Sequence, residues 1–211
     1  MPVPIVYRKS TEAALASYNF TDIAEGTGVV TYYGATTNDS VGEEYVLLSQ
    51  TLYSYSLSTA TTITNGTGSY TKFGDYDFDL STFSLPKTIK GTCLISFGWG
   101  LGAGGNPDAY IIWKVRKYDG TTETDLGSVQ TEGIKANATN AEELLSFTLT
   151  ETNFAKGDIL RVTCEVWGKN TGGVDYVATF AHSPKAQSVN TGGGNLTNSV
   201  LTILIPYKLD L

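Results

Sequence analysis

The sequence predicts an all-β chain folded as a jelly-roll-type β-sandwich, on three observations. Short runs of β-branched and aromatic residues alternate with polar ones. Clusters of Gly, Asn and Asp punctuate those runs at short spacing. No stretch keeps the apolar period of a long helix. A length of 211 residues suits one large sandwich and is enough to bury a substantial core. The expected organisation is an irregular N-terminal arm over residues 1–16 and a single β-sandwich domain over 17–211.

The elements follow in order. The arm carries two prolines near its start, then Ser10 to Ala16, where Ser10 could cap one helical turn. Val29 to Tyr33 is a strand between Gly-containing turns, and Tyr45 to Leu48 is the next. Leu52 to Ser58 alternates cleanly, which predicts a half-buried strand with Tyr53, Tyr55 and Leu57 inward and serines outward. Asp75 to Leu80 also alternates, with aspartates on one face and Tyr76, Phe78 and Leu80 on the other. Thr92 to Phe97 is a strong strand, with Cys93, Ile95 and Phe97 on one face.

Ala109 to Tyr118 places Ile111, Trp113 and Val115 inward and Lys114 and Arg116 outward. Asp119-Gly120 then signals a hairpin returning over about residues 122–131. Thr139 to Leu145 has a Ser/Thr-x-x-Glu pattern and predicts a helix of one or two turns. Phe154 to Asp158 is a tight turn into a long strand, Ile159 to Trp167. Two final strands cover Asp175 to Ala181 and Ser199 to Tyr207. In the last of these Val200 to Ile205 is apolar on both faces, so it is either central or covered by a partner.

Composition removes several functions. Charged residues make up only 17% and the formal net charge is −7. No Lys/Arg cluster exists to neutralise phosphates, so neither nucleic-acid nor anionic-membrane binding is expected. The first residues lack the apolar core of a signal peptide. Cys93 and Cys164 both fall on apolar strand faces and are expected to be buried free thiols, the alternative being a Cys93–Cys164 disulfide should their strands be neighbours.

Catalytic patterns fail on context. His182 is the sole histidine. Its neighbour Ser183 would point to the opposite face of an extended strand, so a triad is not expected, and a loop histidine is. One histidine and two cysteines on apolar faces make no zinc ligand set. Gly100 to Gly105 satisfies G-x-G-x-x-G, but a strand follows it rather than the helix a dinucleotide needs, so it reads as a flexible loop. Asp75, Asp77 and Asp79 resemble the start of a calcium loop, yet Leu80 and Pro86 stand where Gly and Glu are required. They read as a solvated strand face. Trp113 is expected in the core, and Trp99 and Trp167 are the surface candidates for stacking on a ligand. The chain is therefore expected to be no enzyme, with no catalytic, cofactor or metal residues.

Three stretches resemble a known class of proteins: Tyr18 to Gly28, Phe154 to Thr163 with its F-x-K-G-D-x-L-R-V turn and strand, and Leu201 to Leu211. They are similar to β-rich, jelly-roll-like virion structural proteins of tailed bacteriophages, of the capsid decoration or capsid-associated type. The resemblance implies a subunit assembled in the host cytoplasm and located on the virion. Its partners would be other capsid proteins and further copies of itself, as a trimer. The alternative is a carbohydrate- or receptor-binding sandwich of a fibre or adhesin.

Overall fold

The computed structural model describes residues 16–17, 27–38 and 42–208. The expected helical turn at Ser10 and nearly all of the arm lie outside them. The described chain is all-β: β1 (Ala16–Ser17), β2 (Thr27–Asn38), β3 (Glu43–Leu48), β4 (Ser58–Ile63), β5 (Thr67–Asp79), β6 (Lys87–Leu101), β7 (Pro107–Tyr118), β8 (Glu123–Gln130), β9 (Thr139–Phe154), β10 (Ile159–Asn170), β11 (Tyr176–Ala181), β12 (Val189–Asn190), β13 (Asn195–Leu196) and β14 (Thr202–Lys208).

The strands form two layers of a sandwich. One layer runs β9-β6-β14-β2, with β11 and β4 continuing from the far end of β6. The other runs β5-β10-β7-β8. Strand β3 links them, antiparallel to β2 and bridged in parallel to β5 at Val46 and Asp79. Inward residues of both layers meet in one core. Phe97 and Phe180 from the first layer pack edge-on against Trp113 of the second, at centroid separations of 5.1 and 6.0 Å. Ile95, Ile203, Ile205, Phe78, Val115 and Val162 complete it, all without exposed surface. Burying such side chains contributes about 1.5–3 kcal/mol each.

Of the apolar run Val200 to Ile205, the residues from Thr202 onward form β14, paired to β2 on one edge and β6 on the other. Both edges are used, so it is central rather than a docking strand. Two expectations fail. Thr139 to Leu145 is not helical. It opens β9 and pairs residue by residue with β6, from Thr139 against Leu101 to Leu145 against Ile95. A long partner edge outweighs a short capping signal.

Leu52 to Leu57 is an irregular segment before β4, which opens at Ser58. Leu57 packs inward as expected, against Ala181, Val189 and Leu196, but the tyrosines and serines before it are inverted. Tyr53 and Tyr55 are exposed, at 79% and 64%. Ser54 and Ser56 turn in to hydrogen-bond Thr36. The buried Thr36 offers polar groups that serines can satisfy and tyrosine rings cannot.

The β7–β8 hairpin forms where expected, with Gly120 at φ 95°. The turn is held by Asp119, whose Oδ1 accepts the amides of Thr121 and Thr122 at 2.9 and 2.8 Å. The Gly100 to Gly105 segment is the end of β6 and a packed connection to β7. A Cβ on Gly104 would strike the Asp175 carbonyl, and one on Gly105 the Asn170 side chain.

Candidate functional site

The two outward faces differ in chemistry. On β5-β10-β7-β8 the register sets Asp79, Arg161, Arg116 and Asp125 in one row, and Asp77, Thr163, Lys114 and Ser128 in the next. Arg161 pairs with Asp79, with Asp77 at 3.1 Å and with Glu123. Arg116 pairs with Glu123 at 2.9 Å and Asp125 at 2.7 Å. Burial pushes the Asp77 carboxyl up, against a hydrogen bond from Thr163 and the charge of Arg161. The aspartates that looked like a calcium loop are thus neutralised by protein cations, with Lys72 on Asp75. Among the described residues no group of His, Cys, Asp or Glu is arranged to hold a metal ion.

Further along the same face the charges give way to rings. Glu165, nearly buried, accepts Lys114 at 2.8 Å through Oε1 and the Trp167 indole at 3.0 Å through Oε2. Burial opposes its ionisation, but these hydrogen bonds prevail and hold its carboxyl below the ordinary range. Trp167 stands opposite Tyr110, the two rings parallel to within 8° at 6.2 Å. Tyr70 leans on Tyr110 at 5.0 Å, donates to Asp108 at 2.6 Å and lies under Lys169.

Among the described residues, the outer face of β9-β6-β14-β2 carries no charge across its middle. One row is Leu144, Ser96, Thr202 and Tyr33, and the next is Ser146, Leu94, Leu204 and Thr31. Val29, Pro206, Thr92 and Thr148 follow. Glu142 stands beyond one end, and Lys90, Glu151 and Lys208 close the other with ion pairs.

The residues weighed from sequence scatter. Trp113 is in the core as expected, but Trp99 is there too, with no exposed surface. Only Trp167 of the surface candidates reaches an outer face. His182 lies in the loop that follows β11, as expected, but that loop position is not exposed. It is buried against Tyr45, Phe78 and Phe180, and its Nε2 lies 2.9 Å from Thr59 Oγ1. Burial pulls its pKa down to about 4, against its own backbone and the Glu43 charge. Sequence reasoning missed Tyr110, although it shares the outward alternation of Lys114 and Arg116. It also missed Tyr70, because Phe73 is an extra residue in β5 that shifts the register between Gly74 and Lys72.

No protein-family model matches the chain, and no curated protein matches it. Solved structures do. An alpha-amino acid ester hydrolase matches at a TM-score of 0.58 and 9% identity, over 84% of this chain and 36% of that chain. An aminopeptidase from a marine sediment Thaumarchaeota archaeon matches at 0.41 and 8%, over 64% and 26%. The VP2 subviral particle of infectious bursal disease virus, a viral capsid protein, matches at 0.29 and 12%, over 87% and 37%. The chain thus spans about a third of the length of these solved chains. At such identities the likeness is one of fold, and the matches below 0.5 carry no argument.

The first match corrects the expectation that the chain is no enzyme. A hydrolase chain contains this fold, and the sandwich corresponds to 36% of that chain. A sandwich whose sequence carries no readable triad is therefore not separated from enzymes, because fold and chemistry are set by different residues.

Proposed function

We propose that the chain is a structural subunit of a virus particle, a capsid decoration or capsid-associated protein of a tailed bacteriophage. It binds neighbouring virion subunits, assembles in the host cytoplasm and self-associates as a trimer. The observation that carries this reading is the uncharged outer face of β9-β6-β14-β2, where Leu94, Leu204 and Leu144 lie in adjacent rows. Leu144 is 72% exposed there. Interfaces are depleted of charge at their centres and keep it at the rim, which is the arrangement on this face. An apolar patch rimmed by polar groups marks an association surface. The resemblance of the sequence to virion jelly rolls supplies the setting and the trimeric count.

Light scattering and particle composition test the reading. The purified chain is expected to exceed its monomer mass, and Leu94→Lys with Leu204→Lys is expected to return it to monomer. Densitometry of purified phage particles is expected to find the chain in many copies. A monomer at high concentration together with absence from particles would reject the proposal.

A further inference from the structure

We infer that the aromatic end of the β5-β10-β7-β8 face is a binding site for a neutral saccharide, built on Tyr70, Tyr110 and Trp167. This site lies on the opposite layer from the assembly face and does not depend on it. None of the three rings belongs to the hydrophobic core or packs against it. They stand side by side on a face that is otherwise ionic and hydroxylic, with Tyr70 38% exposed. Tyr110 and Trp167 are parallel and Tyr70 is inclined at 56° to Tyr110, and the ring surface they leave on the outer side of the sheet suits the C–H face of a pyranose as well as an aromatic partner.

The polar groups at the rim decide the ligand class. Asp108 accepts the Tyr70 hydroxyl and is paired with Lys169 at 3.1 Å. Glu165 accepts the Trp167 indole and is paired with Lys114 at 2.8 Å. Each carboxylate already has a lysine, so the patch is locally balanced. An anionic ligand would meet two carboxylates, and a cationic one would have to displace two ammonium groups. A purely apolar ligand would strip water from both ion pairs. A neutral ring with an apolar face and a fringe of hydroxyls satisfies the rings and the rim together.

The intact chain provides its own reporter. Trp99 and Trp113 have no exposed surface, so a ligand-dependent change in indole fluorescence comes from Trp167. Titration with neutral malto-, cello-, xylo- and galacto-oligosaccharides, preceded by a glycan array, is the experiment. A saturable shift is expected for at least one series, with a dissociation constant on the order of millimolar or tighter and little dependence on salt. Tyr110→Ala is expected to weaken binding about tenfold, an effect of the size expected from one lost ring contact. Tyr70→Ala, at the most exposed of the three positions, gives the same reading should Tyr110→Ala fail to fold. No binding to any neutral glycan by the folded chain would overturn the inference. So would binding restricted to sialylated or sulfated glycans, or binding unchanged in both variants.

Discussion

Arg161 holds Asp79 through two parallel hydrogen bonds of 2.7 Å, from Nε to Oδ1 and from Nη2 to Oδ2. The same guanidinium reaches Asp77 and Glu123 and stacks 4.2 Å above the Tyr118 ring. One side chain thus ties β5, β7, β8 and β10 together across the charged face. The fork matches a carboxylate in a way an ammonium cannot.

Replacing Arg161 leaves three carboxylates crowded on a half-buried face. Arg161→Ala is expected to lower unfolding free energy by about 1–3 kcal/mol, between the ranges for exposed and buried pairs. Arg161→Lys is expected to recover only part of it. Urea unfolding at low and high salt checks both. Equal stability of all three proteins would show that the network contributes nothing.

The second prediction concerns acid. The hydroxyl of Thr59 donates to Tyr45 at 3.0 Å, so toward His182 its oxygen accepts a hydrogen bond from Nε2–H at 2.9 Å. Burial keeps the histidine neutral near pH 7, that hydrogen bond puts its proton on Nε2, and among the described residues its buried Nδ1 has no hydrogen-bond partner. Its folded pKa of about 4 lies below the ordinary 6.5. Unfolded chains then bind the proton first as pH falls. Stability from this group is complete above pH 6.5, declines as pH drops toward 4, and falls no further below that. The loss amounts to about 3 kcal/mol at 1.36 kcal/mol per pKa unit. His182→Phe should flatten the unfolding free energy between pH 6.5 and 4. The same slope in the variant would assign the effect to other groups.

How much was legible from sequence follows from which physics was local. The strands with a strict two-residue period, such as Ile111, Trp113 and Val115 against Lys114 and Arg116, fall on the expected faces because alternation directly reports burial. Elements decided by a distant partner were not legible. Thr139 to Leu145 became strand because β6 supplied an edge. The serines near Ser54 turned inward because Thr36 is buried, at 1% exposed. The candidate site was legible only through Trp167. Tyr110 is its cross-strand neighbour, a relation no single strand reveals, and Tyr70 sits past the irregularity at Phe73.

The third prediction is that both thiols are free and unreactive in the native state. Cys93 and Cys164 are buried and unpaired with each other. Burial pushes the Cys93 thiol up to about 12 and raises Cys164 as well. Since the thiolate is the reactive form, labelling at neutral pH should await unfolding. Ellman's reagent should find no fast-reacting thiol in the native chain and both thiols after denaturation without reductant. A need for reductant would mean that the two are paired in solution.

The last prediction separates local from global stability at Thr36. Its amide donates to Ser54 Oγ at 2.8 Å, and its hydroxyl oxygen accepts the Ser56 amide at 2.9 Å. Its carbonyl accepts the Tyr55 amide at 2.8 Å. The segment before β4 is thus fastened to β2 through one residue, while Leu52, Tyr53 and Tyr55 point to solvent. Thr36→Val keeps the shape and the backbone bonds but removes the acceptor for Ser56. Leaving this part-buried amide without a partner costs about 1 kcal/mol, the low end of the range for a fully buried group. A segment with few buried apolar contacts can escape that cost by opening alone. The variant should therefore be cut faster by chymotrypsin after Leu52, Tyr53 or Tyr55, with faster amide exchange at Ser56. The amides of β6 and β14, paired within the first layer, should keep their protection. Uniform loss of protection across both layers would show that the segment is part of the global cooperative unit and would refute the local reading.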